Sequence, residues 1–200
     1  MKLVPILDNG HGGIINNIYQ TAGKRSPNWD NGVLFEGVYN RWVINRIKES
    51  LARDSIPFYH VSPEDYDISL NERVKRTNDI FSKNKEVYLL SIHANAGDGK
   101  GIEGFTSIGN TKSDLIASIF LKDLEDLNIN KIRKDTTDGD DDKEANYQIL
   151  KYSNCSAILL ELGFMDNKED YLNLWSLTYL ETIINSLTNT IKKLYNNEIK

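Results

Sequence analysis

Two of the three histidines directly follow apolar, strand-like runs. His11 ends the run Leu3-Val4-Pro5-Ile6-Leu7-Asp8-Asn9-Gly10, and His93 ends Val87-Tyr88-Leu89-Leu90-Ser91-Ile92. A third run, Ala157-Ile158-Leu159-Leu160, ends in Glu161. In a parallel sheet, side chains at the carboxyl ends of strands converge on the crevice where α/β proteins bind ligands. Catalytic zinc takes three protein ligands and keeps one position open, and two His with one Glu is a well-precedented set. His11, Glu36 and His93 supply that count. Such a metal lowers the pKa of water and polarises a carbonyl, which leaves a proton to be moved. Glu161 is placed for that task, a role that typically contributes about 10²–10⁴ in rate.

Each of these residues also has a plain structural reading. His11 alone is compatible with a turn, His93 with a satisfied core histidine, and Glu161 with a salt bridge. Chemistry is implied by all of them reaching one rim. His60, before Val61-Ser62-Pro63, has no such company and reads as structural. The glycines of Asp8-Asn9-Gly10-His11-Gly12-Gly13 permit a tight turn after the first strand. They do not form a phosphate loop, because the Lys-Ser/Thr that completes one is absent.

Strand-like and helical runs alternate, which predicts a single α/β domain over 1–200: a twisted, mostly parallel sheet with helices on both faces. The expected strands are 3–7, 57–61, 87–92, 102–107 and 157–162. Pro5 cannot donate to a ladder, so the first strand is distorted there or its nitrogen faces no partner. In the helix expected over 35–53, Val43, Ile47 and Leu51 form a core stripe that Asn40 and Glu36 continue backwards. Glu36 therefore points inward, where a carboxylate must be hydrogen-bonded, paired or metal-bound; the alternative is a first-turn Glu favoured by the helix dipole. Ser69-Leu70-Asn71-Glu72 and Thr178-Tyr179-Leu180-Glu181 read as capping boxes opening two further helices. Another helix spans 112–127.

Two stretches carry no regular pattern. Residues 12–34 form a loop long enough to be functional or disordered, and it contains Tyr19, Lys24, Arg25 and Trp29. These four side chains are candidates for contacts with substrate, the alternative being a solvated loop. Residues 133–145 read as a solvated, charged turn whose aspartates lack EF-hand spacing.

With 200 residues, 40% hydrophobic and 26% charged, the chain suits one globular domain. A net charge of −5 and no dense Lys/Arg cluster argue against nucleic acid as partner. No apolar run nears the roughly 20 residues of a membrane helix. The N-terminal apolar stretch is too short for a secretory signal, so export by another route or a missing leader is expected. Cys155 is the single cysteine, which excludes an internal disulfide and reads as an inert, partly buried thiol.

Taken together, the motifs resemble the zinc-dependent N-acetylmuramoyl-L-alanine amidases of the Amidase_3 family, from Leu3 to about Tyr195. Asp8–Gly13 is similar to the opening zinc motif, and Glu36-Gly37-Val38-Tyr39-Asn40 to the helix-borne Glu ligand. Leu70, Arg73, Asn78 and Ser91-Ile92-His93-Ala94-Asn95-Ala96 resemble the second histidine block. Gly101-Ile102-Glu103-Gly104-Phe105 is similar to the following strand. Asn146-Tyr147-Gln148-Ile149-Leu150 with Leu160-Glu161-Leu162-Gly163-Phe164-Met165-Asp166-Asn167 resembles the catalytic Glu block. Ser156 departs from the proline often found before that strand, which touches rigidity more than chemistry.

The resemblance implies cleavage of the amide between the lactyl group of N-acetylmuramic acid and L-alanine in peptidoglycan. It also implies Zn2+ held by His11, Glu36 and His93, with Glu161 as base and acid. Peptidoglycan or a muropeptide is the expected partner, as for a phage-type endolysin released to the cell wall or a secreted enzyme. The alternatives are a non-catalytic peptidoglycan-binding module and a zinc peptidase or deacetylase acting on another substrate.

Overall fold

A computed structural model describes residues 2–198. In chain order the elements are β1 (Val4–Asn9), β2 (Ile14–Ile15), β3 (Ile18–Tyr19), α1 (Glu36–Arg53), β4 (Tyr59–His60), α2 (Leu70–Lys83) and β5 (Val87–Asn95). There follow β6 (Glu103–Thr106), α3 (Lys112–Glu125), β7 (Lys143–Glu144), α4 (Gln148–Lys151), β8 (Ser156–Phe164), α5 (Lys168–Trp175) and α6 (Leu177–Asn196). Six strands form one sheet in the order β4-β1-β5-β8-β6-β7. The first four run parallel, β6 is antiparallel to β8, and β7 is parallel to β6. The sheet is mostly parallel, as the alternation of runs predicts.

The near-continuous apolar character of β1, β5 and β8 follows from burial on both faces. Leu7, Leu90, Ile92, Ile158 and Leu160 pack with residues of α1, α3 and α6 in the larger core. Ile6, Leu89, Ala157 and Leu159 face the other way, onto Val74 of α2 and Ile149 and Leu150 of α4. Helices therefore cover both faces.

The chain leaves β1 through α1 to reach β4 on one side, then returns through α2 to β5 on the other. The crevice at the carboxyl ends of β1 and β5 is thus a topological switch point, where ligands bind in open α/β sheets. Pro5 fits because Val4 donates its N–H to the Glu86 carbonyl on the β5 side (2.9 Å), so the next nitrogen faces β4. β4 pairs with Ile6 and Leu7, and among the described residues no strand partner stands opposite the proline nitrogen.

Several expectations need correction. The strand expected over 57–61 shortens to two residues, and the one expected over 157–162 lengthens to 156–164. Residues 12–34 are not featureless: β2 and β3 form a hairpin, and Arg25 bridges Phe35 in antiparallel fashion. Within the charged turn, β7 adds to the sheet edge, and Asp142 is buried with its Oδ2 accepting from Thr106 Oγ1 at 2.7 Å. Ser69 caps α2 as expected, accepting the Glu72 N–H at 3.2 Å. The Thr178 box does not form. Ser176 both ends α5 and caps α6, accepting the Tyr179 N–H, which places Thr178 inside the helix.

Candidate functional site

Glu36 begins α1 and is 2% exposed, with Tyr39, Asn40, Val43, Ile44, Ile47 and Leu51 buried along the same helix. The inward stripe read from spacing is therefore the real one, and it carries a carboxylate to the switch point. Glu36 Oε1 lies 3.2 Å from His11 Nε2 and 2.9 Å from His93 Nδ1. The two imidazole rings meet edge to face, with centroids 5.0 Å apart. One ligand atom from each of His11, Glu36 and His93 falls within 4.8 Å of the others. Burial alone would raise the Glu36 carboxyl, but hydrogen bonds to the two imidazoles hold it well below the usual carboxylate range. His93 is affected in the opposite sense: burial disfavours its cation, and Glu36 more than offsets that, so its pKa is raised.

Glu161 stands opposite His93 in register on the neighbouring strand β8. It is 9% exposed, and its Oε2 is buried with no hydrogen-bond partner among the described residues. Burial, only partly offset by His93, pushes its carboxyl up to about 8. A cavity of about 440 Å³ opens onto this group, lined by His11, Lys24, Glu36, His93, Tyr147 and Glu161 among others. All four residues singled out in the sequence are therefore brought together. Two imidazole nitrogens and a carboxylate oxygen, converging beside an orphaned buried carboxylate oxygen, fit a zinc-type divalent ion.

The backbone around His11 is held from several sides. His11 sits in the left-handed region at φ 68°, which is uncommon for a residue with a side chain. Arg73 of α2, 2% exposed, donates to Asp8 Oδ1 (2.5 Å) and the Asn9 carbonyl (2.7 Å), and more weakly to the His11 carbonyl (3.3 Å). Ser91 donates to the other Asp8 oxygen at 2.6 Å. Asn40 donates to the Gly10 carbonyl at 3.0 Å. Gly10 leaves space that a side chain would take, since a Cβ there would lie 2.0 Å from His93 Cε1.

These supports were not singled out from sequence as a set, although one signal was present. Arg73 lies on the inward face of α2 beside Val74, and a buried strand-end aspartate requires a partner of that kind. His60 lies apart from the centre, with its Nε2 2.6 Å from Asn9 Oδ1. Cys155 is buried, as expected of a structural thiol, and burial pushes its thiol up to about 11. No helix among the described residues is long and apolar enough to cross a membrane.

Comparison with known proteins agrees with this architecture. A crystal structure of an N-acetylmuramoyl-L-alanine amidase from Clostridium difficile 630 is 20% identical, covers 100% of both chains and superposes with a TM-score of 0.79. Cwp6 from Clostridium difficile is 27% identical with a TM-score of 0.73, over 96% of this chain and 29% of that one. N-acetylmuramoyl-L-alanine amidase CwlM of Bacillus licheniformis is 28% identical over 137 residues, 66% of this chain and 48% of the relative. The chain thus matches about half the length of that curated relative. The profile of the N-acetylmuramoyl-L-alanine amidase family, Amidase_3, matches residues 6–193, and the chain belongs to that family.

Proposed function

We propose that residues 1–200 form one catalytic domain that acts on the cell wall. It hydrolyses the amide between the lactyl group of N-acetylmuramic acid and the L-alanine opening the peptidoglycan stem peptide. The observation that carries this reading is the convergence of His11, Glu36 and His93, their ligand atoms within 4.8 Å of one another, beside Glu161 in the same cavity. Family membership supplies the substrate class.

In this reading His11, Glu36 and His93 hold one zinc ion. Bound zinc supplies Lewis-acid polarisation of the scissile carbonyl and a lowered water pKa. Glu161 takes a proton from the attacking water as the new C–O bond forms. It returns that proton to the alanine nitrogen as the C–N bond breaks, leaving a lactyl carboxylate and a free L-alanine amine. Geometry suits Glu161 to this exchange, because its buried Oε2 has no hydrogen-bond partner among the described residues and the residue lines the same cavity as His11, Glu36 and His93.

Mass spectrometry of products from purified muropeptides tests the reaction. The expected products are a sugar bearing an intact lactyl carboxylate and a peptide with L-alanine at its amino terminus. Cleavage within the peptide, or release of acetate, would instead make the chain a peptidase or a deacetylase.

A further inference from the structure

Loop 12–34 offers four candidate substrate contacts, and the structure separates them. Tyr19 packs against Phe35, with ring centroids 4.6 Å apart, and its hydroxyl serves the backbone at Lys24 and Gly37. Trp29 packs edge-on against Tyr171 at 4.7 Å, and the Tyr171 hydroxyl donates to the Gly32 carbonyl, tying the loop to α5. Arg25 is engaged through its backbone in the bridge to Phe35. These three residues build the loop. Lys24 is different.

The Lys24 carbonyl accepts from Tyr19 Oη and from the Glu36 N–H, both at 3.0 Å. Its backbone is thereby fixed against the first residue of α1, beside a candidate metal ligand. It lines the cavity that holds His11, Glu36, His93 and Glu161, and among the described residues it is the one lysine or arginine that does so. Among the described residues its ammonium takes part in no ion pair and no side-chain hydrogen bond. A cation whose backbone is anchored and whose ammonium is left unpaired at the wall of this cavity is set to receive a charge from the substrate. Lys24 and Glu161 line the same cavity, so a group held by the lysine stays within reach of the residue proposed to protonate the leaving nitrogen.

We propose that Lys24 binds a carboxylate on the leaving-peptide side of the scissile amide and so selects stem peptides whose second residue carries a free carboxylate. This rests on the amidase reading above. A γ-linked glutamate following L-alanine offers such a group at its α-carbon, a few bonds from the leaving nitrogen, and amidation of that carboxylate removes the charge. Exposure of the lysine limits the gain, because exposed charge pairs are screened by solvent and salt.

The test compares MurNAc-L-Ala-γ-D-Glu with its α-amide, using wild type, Lys24→Met and Lys24→Arg. Wild type is expected to favour the free acid in kcat/KM by about tenfold, the scale of one charged hydrogen bond in a partly exposed site. That ratio should fall to about one in Lys24→Met, mainly through KM, and be largely kept in Lys24→Arg. Raising ionic strength should shrink the wild-type ratio. Equal use of the two substrates by wild type, or an unchanged ratio in Lys24→Met, would overturn the proposal while leaving the amidase reading intact. A rate loss in Lys24→Met equal for both substrates also overturns it, since that marks a role at the reacting bond. Affinities of the two uncleaved substrates for Glu161→Gln and for Glu161→Gln/Lys24→Met give the same comparison without turnover. If wild type cleaves neither substrate, the amidase reading fails and this one with it.

Discussion

His93 and Glu161 face each other in register across the two central strands β5 and β8. One residue belongs to the metal-capable group and the other is the proposed proton carrier. Their relative position is set by sheet hydrogen bonds and by packing on both faces rather than by a mobile loop. A site built this way depends on small features of the backbone beneath it.

Gly10 is one such feature. A methyl group at this position would lie 2.0 Å from His93 Cε1, inside any permitted contact, and would displace either the turn or the ring. Gly10→Ala should cost about 1–3 kcal/mol in stability, as overpacking typically does. It should also weaken metal binding more than a variant of equal stability far from the site. Unfolding in urea together with metal titration measures both.

Arg73 and Asp8 form an ion pair in which both side chains are 2% exposed. Removing one partner of such a pair strands the other charge and typically costs about 3–5 kcal/mol, whereas replacing both together is far milder. Arg73→Met should therefore be severely destabilised, and Asp8→Asn in the same chain should restore part of the loss. Denaturant unfolding of the two single variants and the double variant gives the coupling.

Glu161 predicts a pH dependence for the protein stripped of metal. Its carboxyl is pushed up to about 8 in the folded chain, against an ordinary value of 4.5. Between those values the folded state holds a proton that the unfolded state has lost. The stabilisation is fully present below pH 4.5, declines as pH rises and is gone above about 8. In EDTA, wild type should lose stability relative to Glu161→Gln across that window; parallel curves would contradict the assignment.

The start of α6 tests a capping assignment that sequence alone got wrong. Ser176→Ala should cost about 1 kcal/mol, the usual value of an N-cap. Thr178→Ala should change thermal or urea stability by much less, because Thr178 lies within the first turn. Ser176 takes the cap because it also ends α5, leaving a single residue to turn the chain.

Much of the site was legible for a physical reason. The stripe through Leu51, Ile47, Val43, Asn40 and Glu36 fixed which face of α1 is inward, and the apolar runs before His11, His93 and Glu161 marked strand ends at one rim. The reversal of β6 was readable too, since the seven residues 96–102 between β5 and β6 are fewer than a parallel crossover needs. The three-sided hold on the His11 turn was not, because it depends on which residues of α1, α2 and β5 meet in space. Nor was the sorting of loop 12–34, where sequence offered Tyr19, Lys24, Arg25 and Trp29 alike and only Lys24 lines the cavity.

The measurement closest to the central claim is amine release from purified peptidoglycan by wild type and Glu161→Gln, with zinc content determined for both proteins. The account predicts about one zinc in each, new L-alanine amines with wild type, and a loss of roughly 10²–10⁴-fold in the variant. Full activity in zinc-loaded Glu161→Gln, or a zinc-loaded wild type that binds cell wall without releasing amines, would contradict it.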